Sequence, residues 1–117
     1  MKFMCIAYEE EQKLNDLSES EWQALRKETL DYVESLRKKG RLIDAHPLRS
    51  ATTASTVRVR EGKLSVTDGP FAETKEQLGG FYLFECRDLD EAIKWAAKIP
   101  SAKGGSVEVR PVMEFEM

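Results

Sequence analysis

The side chains best suited to chemistry gather in the middle of the chain. His46 is the one histidine among 117 residues, and its ordinary pKa near neutrality suits it to general acid–base work. Asp68 heads the run Asp68-Gly69-Pro70-Phe71, where a carboxylate facing a cleft would orient an imidazole and stabilise its charged form. Glu73, Lys75 and Glu76 crowd charge into the next positions, ahead of Gly79-Gly80 and Phe81. Read together, Asp68 and His46 are the candidate acid–base pair. Phe71, Glu73, Lys75, Glu76, Gly79, Gly80 and Phe81 are the candidate ligand contacts.

Each of these has a plainer reading beside it. His46 would serve equally as a hydrogen-bonded structural or surface histidine. Asp68 fits an Asx-turn, its side chain accepting from the backbone of the following turn, with Phe71 as a buried ring that pins it. Charge clusters are usually a solvated face, and Thr74 with Gln77 has the spacing to cap one short helical turn. Arg49, Arg58 and Arg60 would bind an anion or simply form a wet strand face. Gly79-Gly80 permits close backbone approach but lacks the context of a phosphate loop.

Composition narrows the function classes. A net charge of −3 gives no electrostatic reason to expect nucleic acid. No apolar run approaches the roughly 20 residues of a membrane span, and the short apolar N-terminus runs into three glutamates unlike a signal peptide. A cytoplasmic protein is therefore expected. Cys5 and Cys86 sit in apolar runs and not in a CxxC pair, so they read as small buried hydrophobes. With two cysteines and one histidine, no metal site is expected, and no cofactor motif is present.

The elements that must position these residues follow from periodicity. Residues 2–8 (KFMCIAY) are apolar on both alternating sets, the pattern of a strand covered on both faces. Residues 9–16 read as a loop. Ser18 with Glu21 makes a capping box and Leu17 with Trp22 a hydrophobic staple, which starts a helix. Trp22, Leu25, Thr29, Tyr32, Val33 and Leu36 form its apolar stripe, and Gly40 closes it behind a basic last turn. A weaker strand spans 42–48, and 56–60 and 63–67 alternate around Glu61-Gly62 as a hairpin. Residues 81–86 form another apolar strand. Asp88 caps a second helix with Leu89, Ala92, Ile93 and Ala96 inward, ended by Pro100. Residues 101–105 read as a loop and 107–112 as a last strand.

This order predicts one domain over residues 1–117, an α+β ferredoxin-like sandwich of antiparallel strands with two helices on one face. Two helices cover one face only, whereas 2–8 and 81–84 look buried on both. At about 25 cal/mol per Å² of apolar surface, the second face favours a partner, and a second copy of the sheet is the simplest. A homodimer with a sheet-to-sheet core is expected.

The run from Thr56 to Val112, with DGPFAETKEQLGGFYL at its centre, resembles the YCII-related proteins of the DGPF type, and the likeness extends from the first strand to the last. The resemblance implies a bacterial ferredoxin-like domain that pairs into a dimeric α+β barrel. It also implies a group without an established activity, some members being encoded beside or fused to sigma factors of the extracytoplasmic-function type. The wider family is suspected of acid–base chemistry through a histidine near the first helix and a distant aspartate. The first helix here has no histidine, so that pair is not carried over. Three functions are expected from these readings. One is a small-molecule binder whose cleft the DGPF loop lines; the others are a cofactor-free acid–base enzyme (isomerase, lyase or hydrolase) and a module that associates with a sigma factor.

Overall fold

In the computed structural model, which describes residues 1–115, the alternation of residues 2–8 becomes β1 (Lys2–Glu9). Strands β2 (Leu42–Pro47), β5 (Gln77–Glu85) and β6 (Ser106–Pro111) join it in one antiparallel sheet of order β2-β5-β1-β6. With a helix after the first strand and another before the last, this is the ferredoxin-like α+β arrangement. The hairpin β3 (Ser55–Arg60) and β4 (Lys63–Asp68) is a separate two-stranded sheet inserted between β2 and β5. Its turn places Glu61 and Gly62 at φ 53° and 77°, the left-handed pair a tight hairpin turn requires.

Helix α2 (Glu19–Lys38) begins at the capping box read from sequence. Glu21 N–H donates to Ser18 Oγ at 3.2 Å, and Ser18 N–H donates to Glu21 Oε1 at 3.0 Å. Helix α3 (Leu89–Ala96) is capped by Asp88 Oδ1, 2.9 Å from Glu91 N–H. Two further short helices replace expected loops: α1 (Glu11–Asn15) and α4 (Ser101–Gly104). Each is a single turn held by local backbone hydrogen bonds, too short to show a periodic pattern in sequence.

The core lies between the helices and one sheet face. Phe3 and Cys5 of β1 stand opposite Phe84 and Tyr82 of β5, all buried against Leu36, Ala92, Ala96 and Ile99. Phe84 meets the Trp95 ring edge-on at 5.6 Å, and Tyr32 Oη donates to the Trp95 carbonyl at 2.6 Å, tying α2 to α3. The inward face of α3 differs from the one expected. Ala92 and Ala96 are buried with Ile99 beyond them, whereas Leu89 and Ile93 are both 49% exposed. The small alanines let the helix lie close to the sheet.

On the other face, Met4 stands opposite Leu83 and Ile6 opposite Phe81, and among the described residues no helix covers them. These side chains are only half-buried. Gly105 packs directly on the backbone of β1, where a Cβ would collide with the Tyr8 carbonyl oxygen.

Candidate functional site

The apolar stripe of α2 is not uniformly covered. Leu36 is buried, Leu25, Thr29, Tyr32 and Val33 are half-buried, and Trp22 and Leu30 are 44% and 54% exposed. The helix and sheet therefore enclose a core at one end and leave a cleft of about 1050 Å³ at the other. Its α2 wall carries Trp22, Leu25, Arg26, Leu30 and Val33. Its floor is built of small residues, Ala7, Ala45, Gly79 and Gly80, with Tyr82 at the inner end.

Polar groups converge on that floor. In β1, Phe3, Cys5, Ala7 and Glu9 share one alternating set, so Glu9 puts a carboxylate on the face that is otherwise core. Glu9 accepts a hydrogen bond from Ser101 Oγ. Its Oε2 lies 3.8 Å from where a Cβ on Gly79 would stand, so that glycine leaves the carboxylate room. Burial, and then the Glu9 charge, push the Tyr82 phenol above its ordinary pKa and keep it a donor. Glu11 closes the cleft rim, accepting from Ser50 Oγ at 2.8 Å and from Ala51 N–H at 2.6 Å. Among the described residues Arg26 has no ion-pair partner. Glu9, Leu14, Leu25 and Ser101 also line an adjoining recess of about 270 Å³.

This arrangement offers an apolar slot, a carboxylate beside a neutral phenol, and two cations on the helix wall, Arg26 and Arg37, the second of which lies 3.9 Å from Glu34. A carboxylate and a phenol can hold a polar group or pass a proton to it. Among the described residues no three His, Cys, Asp or Glu side chains gather as metal ligands would. The two cysteines are inert in this setting: burial raises Cys5 to about 12 and Cys86 to about 11.

The chain matches the YCII-related domain over residues 1–116. It belongs to the YCII-related family. An uncharacterised protein of Rhizobium meliloti is 37% identical over 118 residues, covering 99% of this chain and 95% of that protein. Among solved structures the chain is similar to 5-chloro-2-hydroxyhydroquinone dehydrochlorinase of Burkholderia phenoliruptrix, in complex with 2,5-dihydroxybenzoquinone. That likeness has a TM-score of 0.59 at 17% identity and covers 98% of this chain and 96% of that one, which establishes a shared fold.

Within this YCII-related chain the residues singled out from sequence do not form one group. Gly79 and Gly80 line the cleft, and His46 and Phe81 border it although their rings stand on the other sheet face; Asp68, Phe71, Glu73, Lys75 and Glu76 are not among its lining residues. The carboxylate beside His46 is Asp44, at 2.8 Å from Nε2, and not Asp68. The His46 and Phe81 rings pair across strands on the sheet face opposite the helices, 5.7 Å apart. Gly80 is required by packing, since a Cβ would stand 2.7 Å from the His46 carbonyl oxygen.

The DGPF turn is held differently from the expectation. Gly69 has φ 98°, as a turn glycine should, but no described hydrogen bond reaches the Asp68 carboxylate. The turn is tied instead through its backbone: Gly69 N–H donates to the Ala54 carbonyl at 2.7 Å, and Thr56 Oγ1 donates to the Gly69 carbonyl at 2.8 Å. Phe71 is 80% exposed and pins nothing within the chain. The charges that follow serve as ties. Lys75 sits 3.7 Å from Glu10, Ser106 Oγ donates to Glu76, and the Gln77 side chain joins the Thr74 carbonyl to Glu11 N–H with no helical turn between.

Glu9, Trp22, Arg26, Tyr82 and Ser101 were not singled out from sequence. One signal for Glu9 was present: it continues the inward set Phe3, Cys5, Ala7, where a carboxylate is out of place in a core.

Proposed function

We propose that this YCII-related protein is a homodimer that binds a small molecule with a largely apolar body in the cleft between α2 and the sheet. The dimer joins through the sheet face bearing Met4, Ile6, Phe81 and Leu83. The observation that supports the binding reading best is the Glu9–Ser101–Tyr82 group on an open floor beneath Trp22 and Leu25. A slot with apolar walls and a few convergent polar groups is the usual form of a ligand site. Glu9 and Tyr82 would hold a hydroxyl or carbonyl, Trp22 and Leu25 would cover the body, and Arg26 would meet an anionic substituent. A panel of hydroxylated aromatic and aliphatic carboxylic acids tests it by thermal shift. A ligand at 100 times its Kd adds about 2.7 kcal/mol, which is readily measured. Stabilisation that survives Glu9→Gln and Trp22→Ala unchanged would place the ligand elsewhere.

A second reading, cofactor-free acid–base catalysis, draws on the carboxylate–phenol pair and on a structural neighbour that is a dehydrochlorinase. It moves the acid–base roles from Asp68 and His46 to Glu9 and Tyr82. Turnover of a bound panel member, lost in Glu9→Gln while binding persists, would separate catalysis from binding alone.

A further inference from the structure

The hairpin β3–β4 has two unlike faces. Val57 stands opposite Val66 and Val59 opposite Leu64, so four apolar side chains share one face. They are 60%, 60%, 59% and 69% exposed in that order. The other face pairs Thr56 with Thr67, Arg58 with Ser65 and Arg60 with Lys63. An amphipathic ribbon of this kind is built to lie on something, and the described residues leave it largely uncovered.

The shape of the molecule shows why. Its principal extents are 47 × 47 × 19 Å. A sheet and one helix layer, each about 10 Å deep, already fill the thin dimension. The hairpin therefore extends outward and does not fold over its own sheet. The radius of gyration, 16.2 Å, exceeds the roughly 13 Å of a compact chain of this length. A lone two-stranded hairpin is marginal in water, so its apolar face needs a cover in every folded molecule. The partner always present with this chain is another copy of it.

We propose that the hairpin is an arm that closes on a second copy, its Val57–Val59–Leu64–Val66 face against the part of the partner's open sheet face that the sheet-to-sheet contact leaves uncovered. The inference rests on the homodimer proposed above and adds an element to it. The open face offers the half-buried Met4, Ile6, Tyr8, Phe81 and Leu83 with the more exposed Leu78 beside Tyr8, a short patch next to the roughly 800 Å² per partner of a stable interface. The arm supplies further area, and a two-fold exchange would satisfy both surfaces on both chains. It also gives a place to Phe71. This exposed ring follows the arm's root, and it would be covered by the second copy in the same contact.

The test measures assembly and proximity separately. Sedimentation equilibrium compares the intact chain, a Leu64→Glu/Val66→Glu arm variant and an Ile6→Lys sheet-face variant, with far-UV circular dichroism confirming that each body is folded. In parallel, Leu64 is replaced by the photocrosslinker p-benzoylphenylalanine. The proposal expects a dimer whose dissociation constant rises at least 100-fold in the arm variant, and an intersubunit crosslink to β1 or β5. Undiminished dimerisation of the arm variant, or crosslinks only within one chain, would overturn the arm while leaving the sheet-face dimer intact. An intact chain that is monomeric at tens of micromolar would overturn both.

Discussion

The two ends of the layer between α2 and the sheet share one helix and one set of strands, yet they do opposite things. At the Leu36 end, Phe3, Phe84 and Trp95 fill the space, and Tyr32 Oη donates to the Trp95 carbonyl. At the Trp22 end the same helix stripe stands away from a floor of alanines and glycines, and Glu9 and Tyr82 occupy positions that hold core residues further along. Side-chain size on the strands accounts for much of the difference: Phe3 and Phe84 at one end, Ala7 and Gly80 at the other. One end holds the fold, and the other is free to hold a ligand.

The sharpest way to break that contrast is a matched pair of truncations. Phe84→Ala at the closed end should cost about 3–5 kcal/mol in urea unfolding. Trp22→Ala at the open end should cost about 1 kcal/mol or less, because its ring is already partly in water. Equal costs would mean that the cleft is ordinary core.

Alkali probes the same two ends. The unfolded chain ionises its thiols near pH 9, whereas burial holds Cys5 and Cys86 neutral in the fold, to about 12 and 11. Their stabilisation is complete below pH 9 and is lost as pH climbs through the folded values. Each should cost about 1.4 kcal/mol per pH unit across that window, followed by denaturant midpoints. Tyr82 reports the open end. Glu9→Gln removes a charge that raises its pKa, so its phenolate absorbance should appear at lower pH in the variant.

Glycines sharpen the account of the floor. Gly80→Ala should cost about 1–3 kcal/mol, since its Cβ would meet rigid backbone of β2 at 2.7 Å. Gly79→Ala should be tolerated, its nearest neighbour being Glu9 Oε2 at 3.8 Å, and should show its effect in ligand affinity. The smallest effect expected is Ser18→Ala. Loss of the cap at the open end of α2 should cost about 1 kcal/mol, read by thermal unfolding.

Much of this fold was legible because its signals are local. The two-residue alternation of Phe3, Cys5 and Ala7, the capping box at Ser18 and the Glu61-Gly62 turn each act within a few residues, and each stands where it was expected. The cleft was not legible, because it arises from how far α2 stands from strands distant in sequence. The DGPF segment was misleading for a related reason. Its density of glycine, proline, charge and aromatic suggested a packed site, but the ties it makes are to Ala54, Thr56, Glu10 and Ser106, and Phe71 faces outward. Periodicity identified β3 and β4 as a hairpin and could not show that it stands apart from the main sheet.

The central claim, that the open end of the α2 layer is a ligand site, is tested most directly by tryptophan fluorescence. The panel of hydroxylated acids, with 2,5-dihydroxybenzoquinone added as a probe, is titrated into the intact chain, Trp22→Phe and Glu9→Gln. The account predicts saturable quenching in the intact chain, loss of that signal in Trp22→Phe with thermal stabilisation retained, and weakened binding in Glu9→Gln. Quenching that persists in Trp22→Phe, leaving half-buried Trp95 as its source, with affinity unchanged in Glu9→Gln, would contradict it.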